Sequence, residues 1–405
     1  MNKKKILIAV SEWGYGPIST LKVIIDEIYE KYDFVFVGKE KHVLDFVKKN
    51  MNYIQEEYIE MDEVSFKDID LILNCMDIES LLYAWKYGIP VYTIDNLYFF
   101  WGPKWERSDY KKVKEIVLDV TLPIKDKIQK LYSLPNYQGY LSIYILSKYV
   151  FLQHYVELGQ DMWFINKDNV YFIDPIIKRI AKEKKKKTKV LVSFSGLITP
   201  VTTMNDISIY MYLVKILLNE LLNEGITNII ITTPKASLVL AKEILGSMDI
   251  EITSMDQKTF LYNLKEAKII LCPCGFSTTF EALYYKTPVF FLPEFHDGNI
   301  YNYHGIVDFN ICKYKKLSNV YPAMNSEEMG LFKYRTVEEL YDGYRKILCD
   351  KNKLITIKRI AEKKASLIKK MCENHESEYM YQMDMWKNKF STFNGEREII
   401  RLVEL

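Results

Sequence analysis

The feature that most narrows what this chain can become is a doubled series of short, mostly apolar runs, most of them separated by amphipathic helical stretches. The first series holds Ile6 to Val10, Phe34 to Val37, Leu71 to Leu73 and Val91 to Ile94. The second holds Val190 to Phe194, Ile229 to Ile231, Ile250 to Thr253, Ile269 to Leu271 and Val289 to Leu292. Runs that are apolar at every position suit parallel strands covered by helices on both faces. Behind the first run, Gly14-Tyr15-Gly16-Pro17 breaks the chain, and Leu21, Ile24, Ile25 and Ile28 then recur at helical spacing. The pattern predicts an α/β protein of two Rossmann-like, doubly wound domains facing each other across a cleft, with a helical C-terminal tail.

A chain of 405 residues exceeds what one hydrophobic core usually organises. The predicted division is a first domain over residues 1–175, a linker over 176–189, a second domain over 190–345 and a tail over 346–405. Asp174-Pro175 and the lysine run Lys184 to Lys187 mark the linker, and the lysines read as solvated. In the tail, Ile357, Ile360, Ala361, Leu367 and Ile368 form an apolar stripe that could cover the sheet or cross back to the first domain.

Net charge is only +2, which argues against a nucleic-acid partner. No apolar run is long enough to span a membrane, and Ile6 to Val10 has no cleavage site behind it, so a cytoplasmic location is expected. The six scattered cysteines read as reduced thiols, and Cys272-Pro273-Cys274 lacks the second ligand pair of a metal site.

Ligands of open parallel sheets bind outside the carboxyl ends of the strands. There, Cys274-Gly275 leads into Phe276-Ser277-Thr278-Thr279, a glycine followed by hydroxyl residues opening a helix. Free N–H groups, the positive helix end and the hydroxyls suit a phosphate, while a plain helix cap by Ser277 or Thr278 is the simpler alternative. Ser195-Gly196, ending the second domain's first strand, and Glu294 to Asn302, after its last, bring further polar loops to the same rim.

The succession Val192-Ser193-Phe194-Ser195-Gly196, Gly275 to Ala282, Thr287-Pro288, Leu292-Pro293, Asn299 and Asn302 resembles the donor domain of GT-B glycosyltransferases, particularly the MurG-like branch. The resemblance covers residues 188 to 310 well and the first domain in outline. It implies that Gly275, Phe276, Ser277 and Thr278 lie around a diphosphate, Glu281 meets the ribose hydroxyls, and Asn299 and Asn302 lie near the sugar hydroxyls. Ser195 and Gly196 are also read as donor-binding, and His296 is an ionisable candidate on the same rim, with a hydrogen-bonded structural role as the alternative. Two departures stand out: glutamine is usual where Asn299 stands, and Ser195 replaces a glycine.

In the first domain, Ser11 to Pro17 resembles the family's first glycine loop but lacks its histidine base, since Gly16 and Pro17 stand there. Glu12 and Asp95 end strands that face the expected cleft, and Asp95 is the preferred catalytic group, with a turn or cap role for Asp95-Asn96 as the alternative. Trp13, Tyr15, Phe99 and Trp101 are read as an aromatic wall for an acceptor. Asp68-Ile69-Asp70 precedes its strand and so falls at the opposite edge. The expected activity is transfer of a sugar from a nucleotide-diphosphate donor, with UDP expected, to a small-molecule or carrier-linked acceptor, without metal or other cofactor. The alternatives are an epimerase similar to the non-hydrolysing UDP-GlcNAc 2-epimerases and a catalytically silent nucleotide-sugar-binding protein.

Overall fold

The structure is a computed structural model, and it describes residues 3–11, 15–153, 162–180, 186–194, 196–199, 202–296, 298–300, 302–303, 321–326, 328–331, 336–384, 386 and 392–403. The chain divides into two compact units, Met1–Ile177 with Thr392–Leu405, and Lys178–Ser391.

The first unit contains strands β1 (Lys5–Val10), β2 (Asp33–Val37), β3 (Ile54–Tyr58), β4 (Leu71–Cys75), β5 (Val91–Ile94), β6 (Tyr149–Gln153) and β7 (Val170–Ile173). They form one sheet of order β3-β2-β1-β4-β5-β6-β7, parallel at every pairing. Helices α1 (Gly16–Ile25), α2 (Lys41–Asn50), α3 (Ile78–Tyr87), α4 (Tyr98–Trp101), α5 (Arg107–Leu118), α6 (Ile124–Tyr132) and α7 (Leu141–Leu146) connect them. Strand order reverses where β1 pairs with β4, with Val10 opposite Cys75. Beyond that point α3 is fixed at both ends. The Asp77 carboxylate accepts from the Ser80 N–H at 2.7 Å, and Gly88, at φ 69°, supplies the left-handed residue that ends the helix.

The second unit contains β8 (Lys189–Ser193), β9 (Ile229–Thr232), β10 (Glu251–Thr253), β11 (Ala267–Cys272) and β12 (Val289–Phe291), a parallel sheet of order β10-β9-β8-β11-β12. Its helices are α8 (Met204–Asn223), α9 (Leu238–Leu245), α10 (Gln257–Glu266), α11 (Phe276–Tyr284), α12 (Val337–Cys349), α13 (Lys351–Glu373) and α14 (His375–Asp384). In α13 the residues Ile357, Ala361, Ala365, Ile368 and Met371 join the core with α8 and α12. Leu367, placed on that stripe by sequence, turns outward and is 36% exposed, because the buried row follows the 3.6-residue period past it. The chain then returns to the first unit as α15 (Gly395–Val403). There Thr392 donates its N–H and hydroxyl to Asp174 Oδ2 at 2.8 and 2.5 Å. A Cβ on Gly395 would stand 1.9 Å from the Asp174 carbonyl oxygen, so only glycine permits this approach.

The lysine run departs from its expected character at Lys187; Lys184 and Lys185 lie outside the described residues. Lys187 Nζ donates to the carbonyls of Lys265, Ala267 and Tyr285 and to Thr287 Oγ1, the last at 2.6 Å. A cation that satisfies the carbonyls at the end of α10, the start of β11 and the end of α11 is an internal tie of the second unit and not a solvated linker residue.

Candidate functional site

In the second unit strand order reverses between β8 and β11, which places the loops after these strands side by side. Helix α11 starts from Gly275 as N-cap, with no side-chain hydrogen bond closing its first turn. Thr279 directs both its N–H and its hydroxyl to the Gly275 carbonyl, at 3.0 and 2.8 Å. Ser277 is exposed and Thr278 half-buried, one and two residues inside the helix. Neither acts as the cap, so both hydroxyls stay beside the positive end of the helix, the arrangement that attracts an anion.

The loop after β12 is fixed to this turn by two carboxamides. Asn299 Nδ2 and Asn302 Nδ2 donate to the Cys274 carbonyl at 3.0 and 2.8 Å. Asn299 is buried, and its Oδ1 also accepts from the Phe295 N–H at 3.3 Å. Each end of that buried carboxamide braces the protein's own backbone, so in this arrangement Asn299 holds the turn. Asn302 Oδ1 is buried and has no partner among the described residues. The His296 ring lies edge-on to Phe295 at 4.5 Å and fills the space where a Cβ on Gly298 would stand, 2.7 Å from its Cε1. Gly196 comes close to the same Phe295, its virtual Cβ 3.4 Å from Cζ, so the loops after β8 and β12 meet. Ser195 lies outside the described residues.

Glu281 is buried, and burial pushes its carboxyl up to about 8, against a hydrogen bond from Gln257 and the charge of Lys178. Gln257, the first residue of α10, keeps a buried Oε1 without a partner among the described residues. Sequence reading passed over Gln257. The available signal was Asp256, whose carboxylate caps α10 by accepting from the Thr259 N–H at 2.8 Å and so starts the helix at the carboxyl end of β10.

In the first unit, Asp95 is completely buried and its carboxylate accepts from the Leu97 N–H at 2.9 Å, Trp101 Nε1 at 3.1 Å and the Tyr144 hydroxyl at 2.7 Å. Burial pushes it up to about 6 in spite of these donors. Its place as an accessible base is therefore taken by an anchoring role, because these donors, with the Tyr98 N–H beside them, come from the unit's own interior. Trp101 is likewise buried and stacks on Tyr140 with ring centroids 4.2 Å apart. It belongs to the core and not to an exposed wall. Tyr15 is half-buried, 6.0 Å from Phe46. Glu12 and Trp13 lie outside the described residues, as does the side chain of Phe99.

No family model and no curated protein matches this chain in sequence. Among solved structures, UGT2 of Phytolacca americana, complexed with UDP-2fluoro-glucose and pterostilbene, is similar with a TM-score of 0.51 and 13% identity. That match covers 100% of this chain and 99% of the other. LpCGTa in complex with UDP is similar with a TM-score of 0.52 and 9% identity over 99% of each chain. The chain has the GT-B fold. At these identities the likeness concerns backbone architecture, and side-chain roles have to be argued from this chain's own geometry. Among the described residues no group of three or more His, Cys, Asp or Glu could hold a metal ion, and no helix is long and apolar enough to cross a membrane.

Proposed function

We propose that this GT-B chain is a glycosyltransferase that takes a sugar from a nucleoside-diphosphate donor bound to its second unit. The observation that carries the reading is the N-terminus of α11: a first turn after glycine with no side-chain cap, two hydroxyls beside it and a position at the sheet's switch point. A diphosphate there would receive N–H and hydroxyl hydrogen bonds. Glu281 and Gln257, on different helices but joined by a hydrogen bond, offer acceptors for vicinal hydroxyls such as those of ribose. UDP is the expected nucleotide, in keeping with the ligands named for the two similar structures. Asp95 is left out of the proposed chemistry, since an enclosed carboxylate cannot take an acceptor's proton without opening the core.

A thermal-shift panel of nucleoside diphosphates and nucleotide sugars tests the donor half. A ligand at a hundred times its dissociation constant should stabilise by about 2.7 kcal/mol, and a flat response across the panel would remove the reading. Incubating the bound nucleotide sugar with and without acceptors tests the rest. Epimerisation without acceptor would replace transfer by isomerisation, and tight binding with no turnover would leave a binding protein.

A further inference from the structure

Helix α13 carries a charge that the rest of the chain does not share. Its segment Lys351–Glu373 holds eight lysine and arginine side chains against two glutamates, a net of +6, and since the whole chain is +2 the remainder is −4. One wall of the helix belongs to the core, where Ile357, Ala361, Ala365 and Ile368 are buried with α8 and α12. Two of the cations are neutralised beside that wall, Lys364 by Glu328 at 2.7 Å and Lys369 by Glu224 at 3.3 Å. The other six, Lys351, Lys353, Lys358, Arg359, Lys363 and Lys370, are exposed and have no ion pair among the described residues.

Side chains four apart on a helix stand one above the other on the same face. Ile355, Arg359, Lys363 and Leu367 follow that spacing and form one ridge on the side away from the core, with Lys370 at its C-terminal end. Ile355 is 43% exposed and Leu367 36%. Arg359 and Lys363 are like charges in adjacent turns, which repel until a counter-charge arrives from outside. Cations alone would fit any polyanion, but here an apolar side chain flanks the charged pair at each end. A nucleic acid backbone offers phosphates and nothing to receive Ile355 and Leu367, whereas a lipid surface has acyl chains beneath its phosphates. Clusters of four to eight Lys and Arg on an amphipathic helix are the usual counterpart of anionic headgroups. We propose that the exposed ridge of α13 docks the protein reversibly on a membrane surface rich in anionic phospholipid, with the cations at the headgroup phosphates and Ile355 and Leu367 dipping between them. The proposal stands independently of the donor-site reading.

Sedimentation of the full chain with vesicles tests it, using phosphatidylcholine alone and phosphatidylcholine with an equal part of phosphatidylglycerol. Binding should be confined to the anionic vesicles and weaken as salt rises, because exposed charges are screened. Arg359→Gln combined with Lys363→Gln and Lys370→Gln should lower the partition coefficient by on the order of a hundredfold. Its melting temperature should stay at the wild-type value, since these side chains have no partner in the fold. Ile355→Ser combined with Leu367→Ser should lower partition by about tenfold and keep the salt dependence. Lys111→Gln combined with Lys112→Gln and Lys114→Gln removes the same charge from exposed positions of α5 and should leave partition nearly unchanged. Equal losses in the α5 and α13 variants would show attraction by net charge alone. Equal binding to neutral vesicles, or binding to neither kind, would leave the ridge a solvated face. Retention on duplex DNA in place of vesicles, lost in the α13 variant, would assign the ridge to a nucleic acid. Each of these three results overturns the proposal.

Discussion

The carboxamide of Gln382 pairs with both backbone groups of Val289, Oε1 accepting from its N–H and Nε2 donating to its carbonyl, each at 2.8 Å. Val289 begins β12, an edge strand, and a buried edge needs its backbone groups satisfied as surely as a central one. One side chain of α14 therefore stands in for the missing neighbouring strand. Gln382→Leu fills similar volume but leaves both groups without partners, and we expect it to cost about 2 to 4 kcal/mol. Urea unfolding gives the magnitude, and hydrogen exchange at the Val289 amide gives the place. Unchanged protection of that amide would show that another group seals the edge.

Lys187 makes the second unit's stability depend on pH in a direction opposite to that of most paired lysines. Burial lowers its ammonium to about 8, from an ordinary value of 10.5. A group that holds its proton less tightly when folded gives the unfolded state more bound protons between those two values, so its contribution to stability rises with pH from about 8 to 10.5. Below 8 both states are protonated and the contribution is flat. Lys187→Met should be less stable than wild type, since three carbonyls lose their donor, and the gap should widen as pH rises through that window. A gap that stays constant across the window would mean that the carbonyls hold the proton on as firmly as water does.

Glu281 offers a proton count for ligand binding. With burial holding its carboxyl at about 8, it is mostly protonated at pH 7 before the nucleotide arrives. A diol donates to a carboxylate better than to a carboxylic acid, so binding should expel the proton, and nucleotide affinity should rise with pH toward 8. Calorimetry at pH 7 in buffers of different ionisation enthalpy reads the release directly. Glu281→Gln should abolish the buffer dependence and weaken binding by roughly 1.5 to 3 kcal/mol, the range for hydrogen bonds to a charged group. Equal buffer dependence in both proteins would place the ribose elsewhere.

What the sequence disclosed and what it withheld follow from whether a signal is local. Strands β1, β8 and β11 announce themselves because a central parallel strand is buried on both faces and reads as an unbroken apolar run. The edge strand β3, Ile-Gln-Glu-Glu-Tyr, alternates in burial and so passes for a polar loop. The turn at Gly275 was legible because helix initiation and anion binding use the same few consecutive residues. Gln257 was not, since its link to Glu281 exists only once α10 and α11 lie together. Asn299 shows a further limit: a carboxamide that braces a backbone and one that reads a sugar have the same letter, and only the carbonyl of Cys274, twenty-five positions away, decides between them. Lys187 misled in the same manner, a cation in a polar run whose partners Tyr285 and Thr287 lie in the turn after α11, nearly a hundred residues on.

Asp95 gives the sharpest separation between a reacting and an anchoring role. Its partners, the Leu97 and Tyr98 N–H groups, the Trp101 indole and the Tyr144 hydroxyl, are all donors, so the carboxylate is the one side chain of its size that can satisfy them together. Asp95→Asn preserves the shape but sets an amide N–H against the Tyr144 hydroxyl or the Trp101 indole, leaving at least one donor unsatisfied or forced to turn. We expect a loss of about 1 to 3 kcal/mol in the first unit, visible as earlier unfolding in hydrogen exchange of peptides around α4 and α7. Turnover by the molecules that remain folded should fall by no more than a few-fold, because the oxygens that would need to meet an acceptor are already enclosed. A catalytic base would behave differently. If Asp95→Asn kept its stability but lost activity a thousandfold, with the pH profile losing the limb near 6 that burial sets for this carboxyl, the carboxylate would have to open toward an acceptor during turnover.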